Sequence, residues 1–466
     1  MQVPILNGVY TDNGPDIRTS YPVNLTPIPG ANGISNGYLR PAEGIVEWGT
    51  GPGVDRGGVN WNGVCYRVMG KSLVRVDPNG AITVIGDVGG SGYVTMDYSF
   101  DRLAIASGGR LYYYDGSTLA QVTDPDLGNV VDVVWVDGYF MTTDGESLVV
   151  TELTDPTRVN PLKYGSSEAD PDPVLAFLKL RNEVYALNRY TIEVFDNVGG
   201  DFFPFQRVEG AQIQRGVVGT HACCEYMDSI AFMGGGRNEP VSIYLGANGT
   251  STQIATQEIS RILEGYTESE LSRCKLESRI DKNHWFLYVH LPDRTLVYDA
   301  NASRAVNQPV WHVLTSSLVG FARYRAQNHV RAYDKWIVGD PNSNKIGFLD
   351  DSVGSHWGND VRWEFGTVIF YNEGRGALFH QLELVSLTGR TALGVTPRIT
   401  TSYSLDGVTW SQPKSIEVGT VGQLAKRLVW FQQGFMRHWR IQRFQGDSSS
   451  HLSFVRLEAR LEPLAY

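Results

Sequence analysis

The stretch Asn62-Gly63-Val64-Cys65-Tyr66-Arg67-Val68-Met69-Gly70-Lys71-Ser72-Leu73-Val74-Arg75-Val76 sets two apolar runs, Val64–Val68 and Leu73–Val76, around a short polar turn. Two such runs bounded by turn formers predict a β-hairpin. Six more pairs follow: Leu103–Ala106 with Leu111–Tyr114, Tyr139–Thr142 with Leu148–Val150, and Val184–Leu187 with Ile192–Phe195. The others are Ile230–Met233 with Val241–Leu245, Trp285–Val289 with Leu296–Tyr298, and Trp336–Gly339 with Ile346–Leu349. Their starts lie 39, 36, 45, 46, 55 and 51 residues apart. Two positions before each start stands Asn or Asp: Asn62, Asp101, Asp137, Asn182, Asp228, Asn283 and Asp334. These side chains bond their own backbone and tolerate left-handed geometry, which suits the turn entering a hairpin. Third runs such as Val130–Val136, Val174–Leu180 and Cys274–Ile280 precede several hairpins, and fourth runs such as Ala81–Ile85 and Trp311–Leu314 follow. Four short strands recurring every 40–50 residues or so are the pattern of a propeller blade. Such blades bury their faces only against one another, so the ring must close. The reading is a β-propeller of six or seven blades over residues 61–353.

The flanks differ. Residues 1–60 are rich in Gly and Pro with little periodicity, and read as an extended arm that packs on the propeller or lends a strand to close it. Near residue 354 the charge balance flips. Residues 1–360 hold 28 Lys and Arg against 42 Asp and Glu, whereas residues 361–466 hold 12 against 8. Alternating runs at Leu382–Leu387, Arg398–Tyr403, Leu428–Phe431, Trp439–Arg443 and Leu452–Leu457 predict a C-terminal β-sandwich over 354–466. The whole is all-β. One helix is expected, where Ile259, Ile262, Leu263 and Tyr266 form an apolar stripe stopped near Gly265.

Composition narrows the function. Over 466 residues, 51 Gly and 52 Phe, Trp and Tyr with 42% hydrophobic content exclude disorder, collagen and coiled coil. A net charge of −10 argues against a nucleic-acid coat, which needs basic surface to release counterions. Cys65, Cys223, Cys224 and Cys274 make neither a disulfide framework nor a metal pair, and fit assembly in a reducing compartment. No signal peptide or membrane-spanning run is visible. The Asn-x-Ser/Thr triplets at Asn24, Asn248 and Asn301 read as chance.

The motifs are weak as chemistry. Ser402–Trp410 approaches the sialidase Asp-box but is one residue short, and reads as a hairpin turn. Gly234-Gly235-Gly236 leads into a strand rather than a helix, so it reads as a loop and not a phosphate cradle. Asp170-Pro171-Asp172-Pro173 suits a stiff inter-blade linker, and the nine histidines show no metal-ligand spacing. The densest basic region is Lys426, Arg427, Arg437, Arg440, Arg443, Arg456 and Arg460, interleaved with Trp430, Phe431, Phe435, Trp439 and Phe444. Alternation would turn the aromatics inward and the arginines outward. The expectation is a partner-binding surface at Arg427, Arg437, Arg440, Arg443 and Arg456. No catalytic or metal residue is assigned.

With these segments laid out, the chain resembles the packaged-DNA stabilisation proteins of short-tailed bacteriophages. The resemblance runs from YPVNL (Tyr21–Leu25) and GYLRPAEGI (Gly37–Ile45) through RYTIEVFDNVGG (Arg189–Gly200), IQRGVVG (Ile213–Gly219) and IATQEISRILEGY (Ile254–Tyr266). It continues with FLYVHLPDRTLVYDA (Phe286–Ala300), LELVSLTG (Leu382–Gly389) and SYSLDGVTW (Ser402–Trp410). It implies a structural virion protein, not an enzyme, with no cofactor: a tail hub that closes the head-to-tail channel and stabilises packaged DNA. Implied partners are further copies in a homohexameric ring, the portal and adaptor ring, the tail needle and the tailspike. Double-stranded DNA passes through without sequence-specific binding, and the protein sits in the virion tail after assembly in the host bacterial cytoplasm. The alternative is a tail propeller that binds or cleaves glycans on the host surface. A cellular propeller scaffold would lack the C-terminal resemblance.

Overall fold

A computed structural model describes residues 1–11, 16–30, 32–389, 391 and 393–464. The propeller has seven blades, each an antiparallel sheet. Their inner strands follow one another round the ring: Asp55–Trp61, Thr95–Tyr98, Asp132–Val136, Val174–Leu180, the broken pair Gly216–Val217 and Cys223–Tyr226, Lys275–Asp281, and Gln327–Ala332. The expected hairpins form the middle of every blade. At Asn62, Asp137, Asn283 and Asp334 the turn residue has positive φ, between 47° and 68°. In blades 4 and 5 the left-handed position falls one residue earlier, on Arg181 and Met227.

Blade 7 takes its fourth strand from the start of the chain. Gly44–Thr50 pairs antiparallel with Lys345–Asp350, and Lys345 Nζ reaches Glu47 at 2.6 Å across 298 residues of sequence. Residues 1–60 are divided between the two domains. Gln2–Val3, Leu25–Pro29 and Gly37–Pro41 join the larger sheet of the C-terminal sandwich, Gly44–Thr50 closes blade 7, and Asp55–Trp61 opens blade 1. The sandwich is thus built from both chain ends, and Met1 exchanges backbone hydrogen bonds with Ala459. Its core stacks Trp363, Phe365, Phe444 and Phe454 with Leu25 and Leu39.

The propeller cores lie between blades. Trp61, Val68 and Leu73 of blade 1 pack on Leu103, Ile105 and Tyr112 of blade 2. Cys65, Val74 and Val76 on the other face of blade 1 pack on Val330, Ile337 and Ile346 of blade 7. Each fully buried side chain contributes roughly 1.5–3 kcal/mol, so separating one seam uncovers two apolar faces at once. Polar latches cross the same seams. Asp97 accepts the Trp135 amide at 2.6 Å and Asp132 accepts the Phe177 amide at 2.7 Å. Tyr226 donates to the Trp285 carbonyl at 2.6 Å. At the 7–1 seam the buried Arg67 is held by both oxygens of Asp55 and donates to the Asn328 carbonyl.

The expected helix spans Gln257–Glu264, capped by the Thr256 side chain and ended by Gly265, with Ile259 and Leu263 buried. Two short helices had no apolar stripe to announce them: Glu268–Leu271, and Ala300–Val306, which Asp299 caps. The Asp170–Pro173 segment links blades 3 and 4, with Asp172 accepting the Tyr190 amide.

Two outcomes follow from these contacts. A Cβ at Gly347 would lie 2.4 Å from the Val46 carbonyl and 2.9 Å from the Trp357 ring, so Gly347→Val should push the closing strand off. A loss of roughly 1–3 kcal/mol is expected, with early proteolytic release of the N-terminal 50 or so residues; an unchanged digestion pattern would contradict the closure. Burial pushes the Asp132 carboxyl up to about 7, against lowering hydrogen bonds from Thr95 and the Phe177 amide. The folded state then keeps this proton where the unfolded chain has lost it. Stability from this group is accordingly present below about pH 4 and is lost as pH rises to about 7. Denaturation of Asp132→Asn and the parent from pH 4 to 8 should diverge in the variant's favour, by on the order of 3 kcal/mol.

Candidate functional site

The five arginines expected to form one partner surface are distributed by the sandwich over four environments. Arg427 and Arg456 lie on the outward face of the larger sheet. There Glu383 binds Arg427 through both oxygens, Glu458 lies 3.0 Å from Arg456, and Glu383 and Glu458 are themselves cross-strand partners. Arg437 is exposed beside the Phe435 ring and, among the described residues, has no carboxylate partner. Arg443 is half-buried under Trp410, in a 280 Å³ cleft between the sandwich, the hairpin Gly8–Thr11/Ile17–Ser20 and the helix at Gln257–Glu264.

Arg440 corrects the reading. It is fully buried inside the sandwich, where its guanidinium stacks between Phe379 and Tyr403 at 4.0 and 3.9 Å. It donates to the Gln433 carbonyl at 2.6 Å and to the Gln442 side chain at 2.7 Å. With no carboxylate beside it among the described residues, burial pushes its pKa down to about 9. The reason is parity: Arg440, Gln442 and Phe444 share one face of the strand Trp439–Asp447, and Phe444 is core. The aromatics divide in the same way. Trp430 and Phe444 are buried, while Phe431 and Phe435 are exposed.

The Ser404–Trp410 segment is a turn. Asp406 accepts from the Val408 and Thr409 amides and from the Thr409 and Ser404 hydroxyls, which holds its carboxyl well below the usual range. Gly234 and Gly235 lie within a strand, so close to the neighbouring backbone that a Cβ at Gly234 would meet the Gly216 carbonyl.

Among the described residues, folding gathers one donor set that sequence spacing scattered. Glu277 and His290 on blade 6 meet His329 on blade 7, with all three ligand-type atoms within 4.8 Å of one another. The three are close to fully buried, and Thr295 orients His290 through Nδ1. Glu277 also accepts the Asn328 amide at 2.8 Å and faces Lys275 Nζ at 3.1 Å. Burial alone would raise its carboxyl, yet Lys275 and the two imidazoles hold it well below the usual range. A carboxylate so committed works as the latch of the 6–7 seam, comparable to Asp97 and Asp132 at theirs. Partners 52 residues apart on different blades left no motif to read.

Buried seams, latches spent on neighbouring blades and a sandwich sewn from both chain ends define a rigid all-β scaffold, a propeller joined to a sandwich. Residues 1–354 match the family model described as Bacteriophage P22 Gp10, beta-propeller, and residues 362–462 the one described as Bacteriophage P22 Gp10, beta-sandwich. The chain belongs to this P22 Gp10 family, the phage stabilisation proteins. It is 28% identical over 458 residues to the tail hub protein gp10 of Salmonella phage P22, covering 94% of each chain. Among solved structures, the Pan2 WD40 domain of Neurospora crassa is similar at TM-score 0.42 and 9% identity, over 65% of this chain and 95% of that one. PorZ of Porphyromonas gingivalis is similar at TM-score 0.40 and 11% identity, over 79% and 46%. No helix among the described residues is long and apolar enough to cross a membrane.

Arg440→Ala leaves a cavity and strips the Gln433 carbonyl and Gln442 of their donor, so a loss of roughly 2–4 kcal/mol is expected. Arg437→Ala should stay within about 0.5 kcal/mol of the parent. Urea denaturation of both variants checks this, and equal stabilities would remove Arg440 from the core.

Proposed function

We propose that the chain is the tail hub of a short-tailed phage, a structural virion protein without catalytic activity. It assembles in the host bacterial cytoplasm as a homohexameric ring and joins the head below the portal and adaptor ring. There it closes the channel behind the packaged DNA and offers attachment to the tail needle and the tailspikes. The observation that carries this reading is the match of both domains, in order, to one family whose curated relative is a tail hub. Physical features support it. A closed ring of blades with inter-blade cores resists deformation, as a plug under pressure must. The propeller half of the chain is acidic, which disfavours adhesion of passing phosphates. Leu387 and Leu424 are exposed on loops joined by the Gly422–Gly389 hydrogen bond, apolar side chains suited to burial against a neighbour.

A nonsense mutation in the gene, in its own phage, tests the reading through the DNA content of lysate particles. Heads should package and then empty, carrying adaptor rings but neither needle nor spikes. Heads that remain full and only fail to adsorb would overturn the plug and favour the host-glycan alternative.

A further inference from the structure

At one end of the propeller's central channel, residues leading into the inner strands of six blades enclose a cavity of about 640 Å³. Four cations line it: Arg56 and Lys71 from blade 1, Arg273 before blade 6 and Arg323 before blade 7. Among the described residues, none of the four has a carboxylate oxygen within 4.0 Å. Several arginines elsewhere in the propeller do hold carboxylates, as in Arg67–Asp55, Arg215–Glu239, Arg237–Asp170 and Arg325–Asp340. The acid in the cavity wall, Asp55, is spent on Arg67, and the neighbouring Glu277 faces Lys275. Glu270, the carboxylate nearest in sequence to Arg273, is tied to the Thr267 amide.

The cations are also positioned. Arg56 is buried and its guanidinium is fixed by the carbonyls of Gly70, Gly89 and Gly92 and by the Ser107 hydroxyl, all neutral acceptors. Arg323 is steered by the Tyr93 hydroxyl at 2.9 Å and Gln327 at 3.0 Å. Beside them runs the loop Gly89–Gly92, in which Gly89, Gly90 and Gly92 have φ of 59°, 71° and 79°. The amides of Gly90, Ser91 and Gly92 donate to no protein acceptor among the described residues. Unpaired amides in such a loop add partial positive charge to that of the side chains. Like charges converging on a concave site with low-dielectric walls focus a positive potential there, and guanidinium forks match oxyanion geometry.

We propose that this cavity binds a compact multivalent oxyanion, a phosphate-bearing small molecule of about nucleotide size. The volume falls within the roughly 300–1,000 Å³ of small-molecule sites. It is far too small for duplex DNA, whose major groove alone is about 12 Å wide. The site is thus distinct from any passage of the genome and goes beyond the hub reading.

Isothermal titration of the full-length protein with tripolyphosphate at low ionic strength tests it. One saturable site per chain is expected, weakening as salt is added. Lys71→Glu with Arg273→Glu, both exposed and outside the hydrogen-bonded frame, should weaken it at least about tenfold without moving the melting temperature. Arg437→Glu should leave it unchanged. Absence of saturable binding would overturn the proposal, and so would binding indifferent to the Lys71/Arg273 pair. An oligoglutamate peptide that competes for the cavity where tripolyphosphate fails would also overturn it, assigning the site to an acidic protein segment.

Discussion

The ladder between Gly44–Thr50 and Lys345–Asp350 is the contact on which the propeller depends. Blades whose hydrophobic faces meet only across seams have no stable partial ring, because every missing neighbour leaves a core uncovered. The ladder draws blade 7 back beside blade 1, where Cys65, Val74 and Val76 find Val330, Ile337 and Ile346. Joining strands 298 residues apart in sequence costs less than the separation suggests. Loop-closure entropy grows only logarithmically, by about 0.6 kcal/mol per doubling of length. The apolar faces covered at that one seam outweigh the increment.

The same N-terminal segment makes the two domains one mechanical unit. It pairs in the sandwich sheet, crosses to close blade 7 and continues into blade 1 within about 60 residues. The crossing is fixed at Val23 and Asn24. Val23 bridges to Val313 of blade 6 and to Glu364 of the sandwich. Asn24, with φ of 50°, donates to the carbonyls of Thr315 and Arg362 and accepts the Thr315 amide. A single buried amide side chain thus satisfies backbone groups from both domains. For a protein read as a plug, load applied to the sandwich reaches the ring through paired backbone.

The hairpins were legible because their information is local: alternation, and an Asn or Asp where the chain must turn left-handed. Even the exceptions keep that logic, since in blades 4 and 5 Arg181 and Met227 take the strained position one residue ahead of Asn182 and Asp228. What could not be read was non-local. Leu25–Pro29 contains Pro27 and Pro29, and Gly37–Pro41 ends in Pro41, which argues against strands on propensity. They are strands because a sheet edge from the far end of the chain receives them. Ala300–Val306 carries no apolar stripe, yet Asp299 caps it between two strands of blade 6. Residue type argues for an outward Arg440, whereas the parity it shares with Gln442 and Phe444 places it with the core.

Charge shows the same contrast between totals and positions. The acidic sum of the first 360 residues conceals two populations of side chain. One is neutralised where it stands: Asp55 by Arg67, Glu277 by Lys275 and its imidazoles, Asp170 by Arg237, and Asp340 by Arg325. These groups hold seams and loops together and project little field. The other is unpaired, and in the channel cavity it is wholly cationic, so an acidic propeller carries a positive pole at its centre. Field at a point depends on the few charges nearest to it and on the dielectric around them, not on the sum over the chain. A ring that keeps Arg56, Lys71, Arg273 and Arg323 without carboxylate partners within one cavity can carry a net negative charge overall and still bind a small polyanion.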